Sequence, residues 1–247
     1  MTITQYLNTF QKTLPAHVDM VNILDDYIYE KEKNKGDIKY LLQFQKYLKH
    51  EYGFIYTDEI SEDLFKRFIL YHIPKTASFL TYNKSKQLLK ELGFFMASER
   101  VKTHKNIKRD YNNVYYEYLE EFPRIMQLQK EIKNEIGYPV VEFDPLVIDL
   151  LSYRREKLLD KYQEKSPIME QGFFQVLEVF GSGIVIFKKL FGSEMYIKLH
   201  IGRNIVPYLK KYDIIHMRIS RRLFFTTWNL DSVKSCYHKD ALSFLKV

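Results

Sequence analysis

The periodicity of the chain changes at about Gly172. From there to Trp228 it is strand-like, and before it the pattern is helical. Phe173 to Phe180 is rich in β-branched and aromatic residues, Gly181-Ser182-Gly183 interrupts it, and Ile184 to Phe187 resumes the same composition. This is a hairpin pattern. Gly192-Ser193 makes a second turn signal between Phe187 to Phe191 and Met195 to Ile201, with glycine placed for a type II′ turn. Asp213 to Ile219 and Leu223 to Trp228 add two short strand candidates. Five short strands in so few residues predict a small closed barrel, SH3-like or OB-like. Together with the helical pattern upstream, the expected fold class is α+β: an all-helical amino-terminal bundle followed by this carboxy-terminal β-barrel.

The upstream helices can be read from their caps. Thr4 to Lys12 and Ala16 to Lys33 are separated by Pro15, and Val18, Val21, Leu24 and Ile28 fall on one face of the second. Asp37 is placed to cap a helix carrying Leu41, Phe44, Tyr47 and Leu48, which Gly53 ends. Ser61 caps a helix carrying Leu64, Phe68 and Tyr71 that closes before Pro74, and Thr76 starts a long helix through Phe79, Leu88, Leu92 and Phe95. Residues 105–135 form a charged, Tyr-rich helical stretch that Pro123 can kink or divide. Asp144-Pro145 begins a further helix through Tyr162. The expected organisation is a bundle over residues 1–105, a helical connector over 106–165 and the barrel over 170–247, with Ser166-Pro167 at the boundary.

Aromatic residues make up 16% of the chain, and charged residues 28%, so a disordered class is excluded. The single cysteine, Cys236, excludes an internal disulfide and a multi-cysteine zinc site, and no histidine pair has helical ligand spacing. No metal or cofactor is expected. The amino terminus lacks the pattern of a signal peptide, and no apolar run reaches the roughly 18 residues that a bilayer span needs, so a cytoplasmic location with no membrane partner is expected.

The net charge of +7 is unevenly distributed. From Glu170 to Val247 there are 12 Lys/Arg against 6 Asp/Glu, leaving 26 basic and 25 acidic residues before them. A basic domain beside a neutral one suits a polyanionic partner. The candidate nucleic-acid contacts are Lys188, Lys189, Lys198, Arg203, Lys210, Lys211, Arg218, Arg221 and Arg222. Arg218 alternates with Met217 and Ile219 and is expected to face outward. The same residues also fit a protein-interaction or structural module whose basic side chains keep strand edges soluble. DNA, RNA or another protein therefore remain the partner classes.

Residues 37–49, then Ile60 to Phe68, then Thr76 to Ala97 with Leu88, Leu89 and Phe94-Phe95 give a sequence of capped helices ending in a Phe-rich segment. Over about residues 16–105 this resembles the amino-terminal core-binding (SAM-like) domain of tyrosine recombinases and phage integrases. The resemblance implies a DNA-clamping origin, with Lys75, Lys84, Lys86 and Lys90 as backbone contacts. His200-Ile201-Gly202-Arg203, Trp228 and Tyr237 echo that family's catalytic signature. Arg109, Arg124, Arg154 and Arg155 lie upstream without the family's context, and His200 ends a strand pattern where the family has a helix. The match is read as a coincidence of spacing. Cys236 with His238 near the chain end is no better a nucleophilic site. No catalytic residue is assigned, and a non-enzymatic protein is expected.

Overall fold

A computed structural model describes residues 19–34, 36, 38–77, 80–102, 104–137, 168–221 and 228–245. The sequence-predicted helices at 4–12 and 144–162, the Asp37 cap, the Ser166-Pro167 boundary, the strand over 223–227 and Arg222 fall outside these residues. The described chain is α+β, with helical segments first and a five-stranded antiparallel sheet after them. Its residues cluster into two compact units, Met1–Leu64 with Lys90–Tyr115, and Phe65–Leu89 with Tyr116–Val247. The helical stretch read as a connector thus contributes to both.

In the first unit, α1 (Met20–Lys33) starts at Asp19, whose side chain accepts from the Val21 N–H at 3.0 Å. This satisfies one of the donors that a helix start leaves unpaired. Helix α2 (Lys39–Glu51) ends where Gly53 takes φ 69° and donates its N–H to the Lys49 carbonyl. Met20, Leu24 and Ile28 from α1 and Leu41, Phe44 and Leu48 from α2 are buried at helical spacing. Helix α3 (Glu62–Arg67) opens with the Leu64 N–H on Ser61 Oγ, as its sequence predicts.

Two expected boundaries are corrected downstream. The helix does not close before Pro74: a π-helical turn (Phe68–His72) continues it into α4 (Ile73–Thr76). The Ile73 N–H reaches back to the Phe68 carbonyl, and this widened turn accommodates a ring that would clash in a regular helix. Thr76 therefore lies inside a helix, and Thr81 starts α5 (Tyr82–Met96), its Oγ1 accepting from the Lys84 N–H at 3.3 Å. After α6 (Glu99–Lys102), the Tyr-rich stretch divides into α7 (Lys105–Tyr118) and α8 (Glu121–Glu135). Pro123 sits in the first turn of α8, where no N–H is needed.

In the second unit, β1 (Ile168–Val179), β2 (Ile184–Lys189), β3 (Tyr196–His200), β4 (Ile214–Arg221) and β5 (Asn229–Tyr237) lie in the order β3-β2-β1-β4-β5. A short 3₁₀ turn (Val206–Tyr208) separates β3 from β4. The sheet has β3 and β5 as its edges and is not closed, which corrects the expectation of a closed barrel. At the β5 edge a helix takes the place a strand would have. Gln129 of α8, fully buried, accepts the Cys236 N–H at 2.7 Å and donates to the Pro74 carbonyl at 3.2 Å. Ile125, Leu128 and Ile132 of α8 join Phe174, Val176, Val185, Phe187, Ile197, Leu199, Ile215 and Met217 in one apolar cluster. One face of the sheet is therefore the core of this unit. The other face carries Lys188 and Lys198 among the candidate contacts.

Candidate nucleic-acid interface

The β2–β3 hairpin sets the geometry of the outer face. Register pairs Lys188 with Tyr196, Ile186 with Lys198, and Ile184 with His200. Because successive side chains alternate across a strand, Ile197 and Leu199 enter the core while Tyr196, Lys198 and His200 are exposed. Lys188 lies with its Nζ 5.8 Å from the Tyr196 ring centroid and 3.6 Å from Glu194, and the Tyr196 hydroxyl donates to Glu194 at 2.9 Å. The Tyr196 hydrogen bond, followed by the Lys188 charge, holds the Glu194 carboxyl below its ordinary pKa.

At the other end of the hairpin, the Phe180 N–H donates to the Ile184 carbonyl, the Gly183 N–H to the Phe180 carbonyl, and the Ile201 N–H to the Gly183 carbonyl. These bonds fix the β1–β2 turn to the end of β3. Gly183 has φ 89°, and a Cβ there would meet the Ile201 carbonyl oxygen at 2.5 Å, so the turn requires glycine. Phe180, on this turn, is 40% exposed.

The nine candidate contacts do not share one surface. Lys188 and Lys198 stand on the outer face, and Arg203 is exposed in the turn after β3. Lys189 pairs in register with the core residue Phe174, and its amine contacts Glu170 at 2.6 Å, leaving the side chain only 14% exposed. Lys210 reaches Glu121 at 2.5 Å, and Lys211 lies over the Tyr212 ring. Arg218 alternates with buried Met217 and Ile219 as expected, but it is half-buried, and its charge offsets part of the burial penalty that raises the Asp231 pKa. Arg221 is also half-buried, over the Trp228 ring at 4.9 Å. Of the four lysines that the resemblance singles out, Lys75 lies over the Tyr71 ring and Lys86 pairs with Glu120 at 2.7 Å.

Lys210 and Lys211 line a cavity of about 330 Å³ with Glu117, Tyr118, Glu121, Arg124, Asp213, His238, Lys239 and Asp240. Its floor is an ion-pair network. Arg124 donates to both Asp213 oxygens at 2.6 and 2.8 Å, to the Tyr208 carbonyl at 2.5 Å and to Glu121 at 3.0 Å. Burial disfavours the Arg124 charge, but the hydrogen bonds and charges of Asp213 and Glu121 together outweigh it, and the guanidinium pKa is raised. The Tyr118 hydroxyl donates to Asp240 at 2.7 Å, and the Asp240 N–H faces His238 Nδ1. Nothing in the sequence pattern joins Arg124 to Asp213, which lie 89 positions apart.

The residues of the recombinase-like spacing are not assembled as a nucleophilic centre. His200 is exposed at the end of β3 and Arg203 lies in the following turn. Trp228 is buried, and Tyr237 is 2% exposed, its hydroxyl bonded to Ser235 at 2.6 Å. Burial pushes the Tyr237 phenol up to about 12. Cys236 is also fully buried, which raises its thiol pKa. Among the described residues no group of three or more His, Cys, Asp or Glu could hold a metal ion, and no helix is long and apolar enough to cross a membrane. Comparison with protein-family models, curated proteins and solved structures found no match for this chain.

Proposed function

We propose that the chain is a non-enzymatic nucleic-acid-binding protein whose sheet engages the phosphate backbone through the outer face of β2 and β3. The observation that carries this reading is the β2–β3 register, which sets Lys188, Lys198 and His200 on one exposed face with Tyr196 beside Lys188. The sheet architecture supports it. The long β1 pairs with β2 through its second half and with β4 through its first, and a 3₁₀ turn links β3 to β4. This is compatible with the partly open, OB-like form, whose second and third strands and first loop bind oligonucleotides. On the core-binding resemblance, the amino-terminal helices are proposed as an auxiliary clamp, with Lys75, Lys84, Lys86 and Lys90 as backbone contacts.

A second reading, a protein-interaction module, has its own support. Lys188, Lys189 and Lys210 are ion-paired with Glu194, Glu170 and Glu121, as solvent-facing structural lysines would be. Fluorescence anisotropy with mixed-sequence DNA and RNA over a salt series separates the two. Nucleic-acid binding predicts affinity that falls linearly on a log-log plot, with a slope reduced by nearly one unit for each duplex phosphate contact removed in a Lys188→Gln, Lys198→Gln, Arg203→Gln variant. Absence of binding to either polymer at low salt would sink the proposal.

A further inference from the structure

We propose that the nucleic acid taken by this face is single-stranded, with one base stacking on Tyr196 and another on Phe180. The proposal rests on the nucleic-acid reading above and goes beyond it in strandedness and in the residues that read the strand. A protein that contacts only phosphates needs cations and no exposed rings. Here two rings frame the cations. Tyr196 is 56% exposed at the start of β3, although the alternation that exposes it would serve a lysine or threonine equally well. Its ring is oriented rather than loose, tethered through the hydroxyl to Glu194 and flanked by Lys188.

Phe180 marks the opposite end. Val179 packs against the core, so alternation sends Phe180 to the outer side, and the Gly183–Ile201 hydrogen bond ties its turn to the last residues of β3. From Tyr196 to His200 the strand rises about 13 Å at roughly 3.3 Å per residue. Lys198 and His200 are exposed along this rise, and Ile184 and Ile186 form a half-buried apolar floor beside them. Cations along a groove with aromatic platforms are the elements by which proteins hold single strands without sequence preference, because every base has a face to stack. In a duplex those faces are covered by neighbouring bases, and the two rings would have no partner. Glu178, exposed next to Ile186 in register, and Glu194 oppose phosphate here and limit the affinity.

The test uses the full chain and a labelled mixed-sequence oligonucleotide of about 12 nucleotides, within the roughly 4–16 that such a surface covers. Anisotropy titrations compare it with the same sequence as a duplex. The single strand is expected to bind at least about tenfold more tightly. Tyr196→Ala and Phe180→Ala are each expected to weaken single-strand binding by roughly 5- to 100-fold while leaving the salt slope unchanged. Tyr196→Phe should retain the affinity, which separates stacking from the hydroxyl contact. Lys198→Gln should instead lower the slope by about 0.7 unit. Glu178→Gln should tighten binding. Both rings are exposed, and unchanged urea midpoints will show that the variants remain folded. Equal binding of single strand and duplex, with the alanine variants unaffected, would overturn the strandedness and leave the backbone-directed function standing. No binding to either, or salt-dependent binding to an acidic peptide alone, would overturn both.

Discussion

Arg124 and Asp213 are joined by two hydrogen bonds, 2.6 and 2.8 Å long, one from each terminal guanidinium nitrogen to a different carboxylate oxygen, and both residues are buried. The pair fastens the first turn of α8 to the residue immediately before β4, and Asp213 also accepts the Lys210 N–H at 2.8 Å. Removing one member leaves the other charge buried with only the remainder of its network, Glu121 and the Tyr208 carbonyl for Arg124 or the Lys210 N–H for Asp213. Arg124→Ala or Asp213→Ala is expected to destabilise the protein by about 3–5 kcal/mol. The double variant Arg124→Met, Asp213→Leu should lose less than either single change, because neither fully buried charge is left unpaired and Glu121 keeps Lys210. Urea unfolding of the three variants measures both effects, and a double variant worse than the singles would contradict the assignment.

Tyr237→Phe should leave any nucleic-acid binding unchanged and lower stability by about 0.5–1.5 kcal/mol, the usual worth of the Ser235 hydrogen bond it removes. With its pKa near 12 the phenol is protonated at neutral pH and lacks the thermodynamic readiness of a nucleophile. Incubation with nicked DNA followed by denaturing gel analysis checks this. A covalent adduct with the wild type, missing in the variant, would restore the recombinase reading.

The parts of this fold that are legible in the sequence are those set by local rules. Ser61 caps as expected, and the turn at Gly181 to Gly183 divides β1 from β2, with glycine required at 183, whereas Asp19, inside the predicted helix over 16–33, is instead its cap. The fifth strand was harder to read. β5 carries Asn229, Asp231, Ser232, Lys234 and Ser235, a composition that favours turns, and it is a strand because β4 and α8 pair and pack with it. Long-range satisfaction was invisible for the same reason: Gln129 covers the β5 edge from 107 positions away, so the open sheet could not be deduced from strand count. At the candidate interface, the alternation of Tyr196, Lys198 and His200 against Ile197 and Leu199 is plain in the sequence. The diversion of Lys189 to Glu170 and of Lys210 to Glu121 depends on packing and is not.

Stability should fall as the pH drops from about 6.5 towards 4, and His216 is a named contributor. Its ring stacks on Phe173 at 4.3 Å, and burial, followed by the nearby Lys234 charge, lowers its pKa to about 4. The unfolded chain takes up the proton near the ordinary value of about 6.5, whereas the folded chain resists it. The stabilisation is therefore complete above about pH 6.5 and is lost as the pH falls through the folded value. His238, whose pKa is also lowered by burial, acts in the same direction, while Asp231, raised by burial, acts in the opposite one at the acid end. Urea midpoints at pH 7 and pH 5 should diverge less for His216→Phe than for the wild type. Identical divergence would remove His216 from the account.

Gly183→Ala is expected to be among the most damaging single-methyl changes in the sheet. At φ 89° an alanine is strained by of order 1–3 kcal/mol. The added carbon would also lie 2.5 Å from the Ile201 carbonyl oxygen, a backbone atom that cannot swing aside as a side-chain end could. The Ile201 N–H bond to the Gly183 carbonyl would stretch or break, and with it the hold of the β1–β2 turn on β3. Gly181→Ala in the same turn is the control, since a Cβ there meets nothing within 4 Å and its φ is not in the left-handed range. Thermal unfolding should show Gly183→Ala at least about 1 kcal/mol less stable than Gly181→Ala. If the Phe180 position matters for single-strand binding, Gly183→Ala should also lose affinity at a temperature where it is still folded, and Gly181→Ala should lose far less. Equal stability of the two variants would mean that the turn is not anchored on Ile201 in solution.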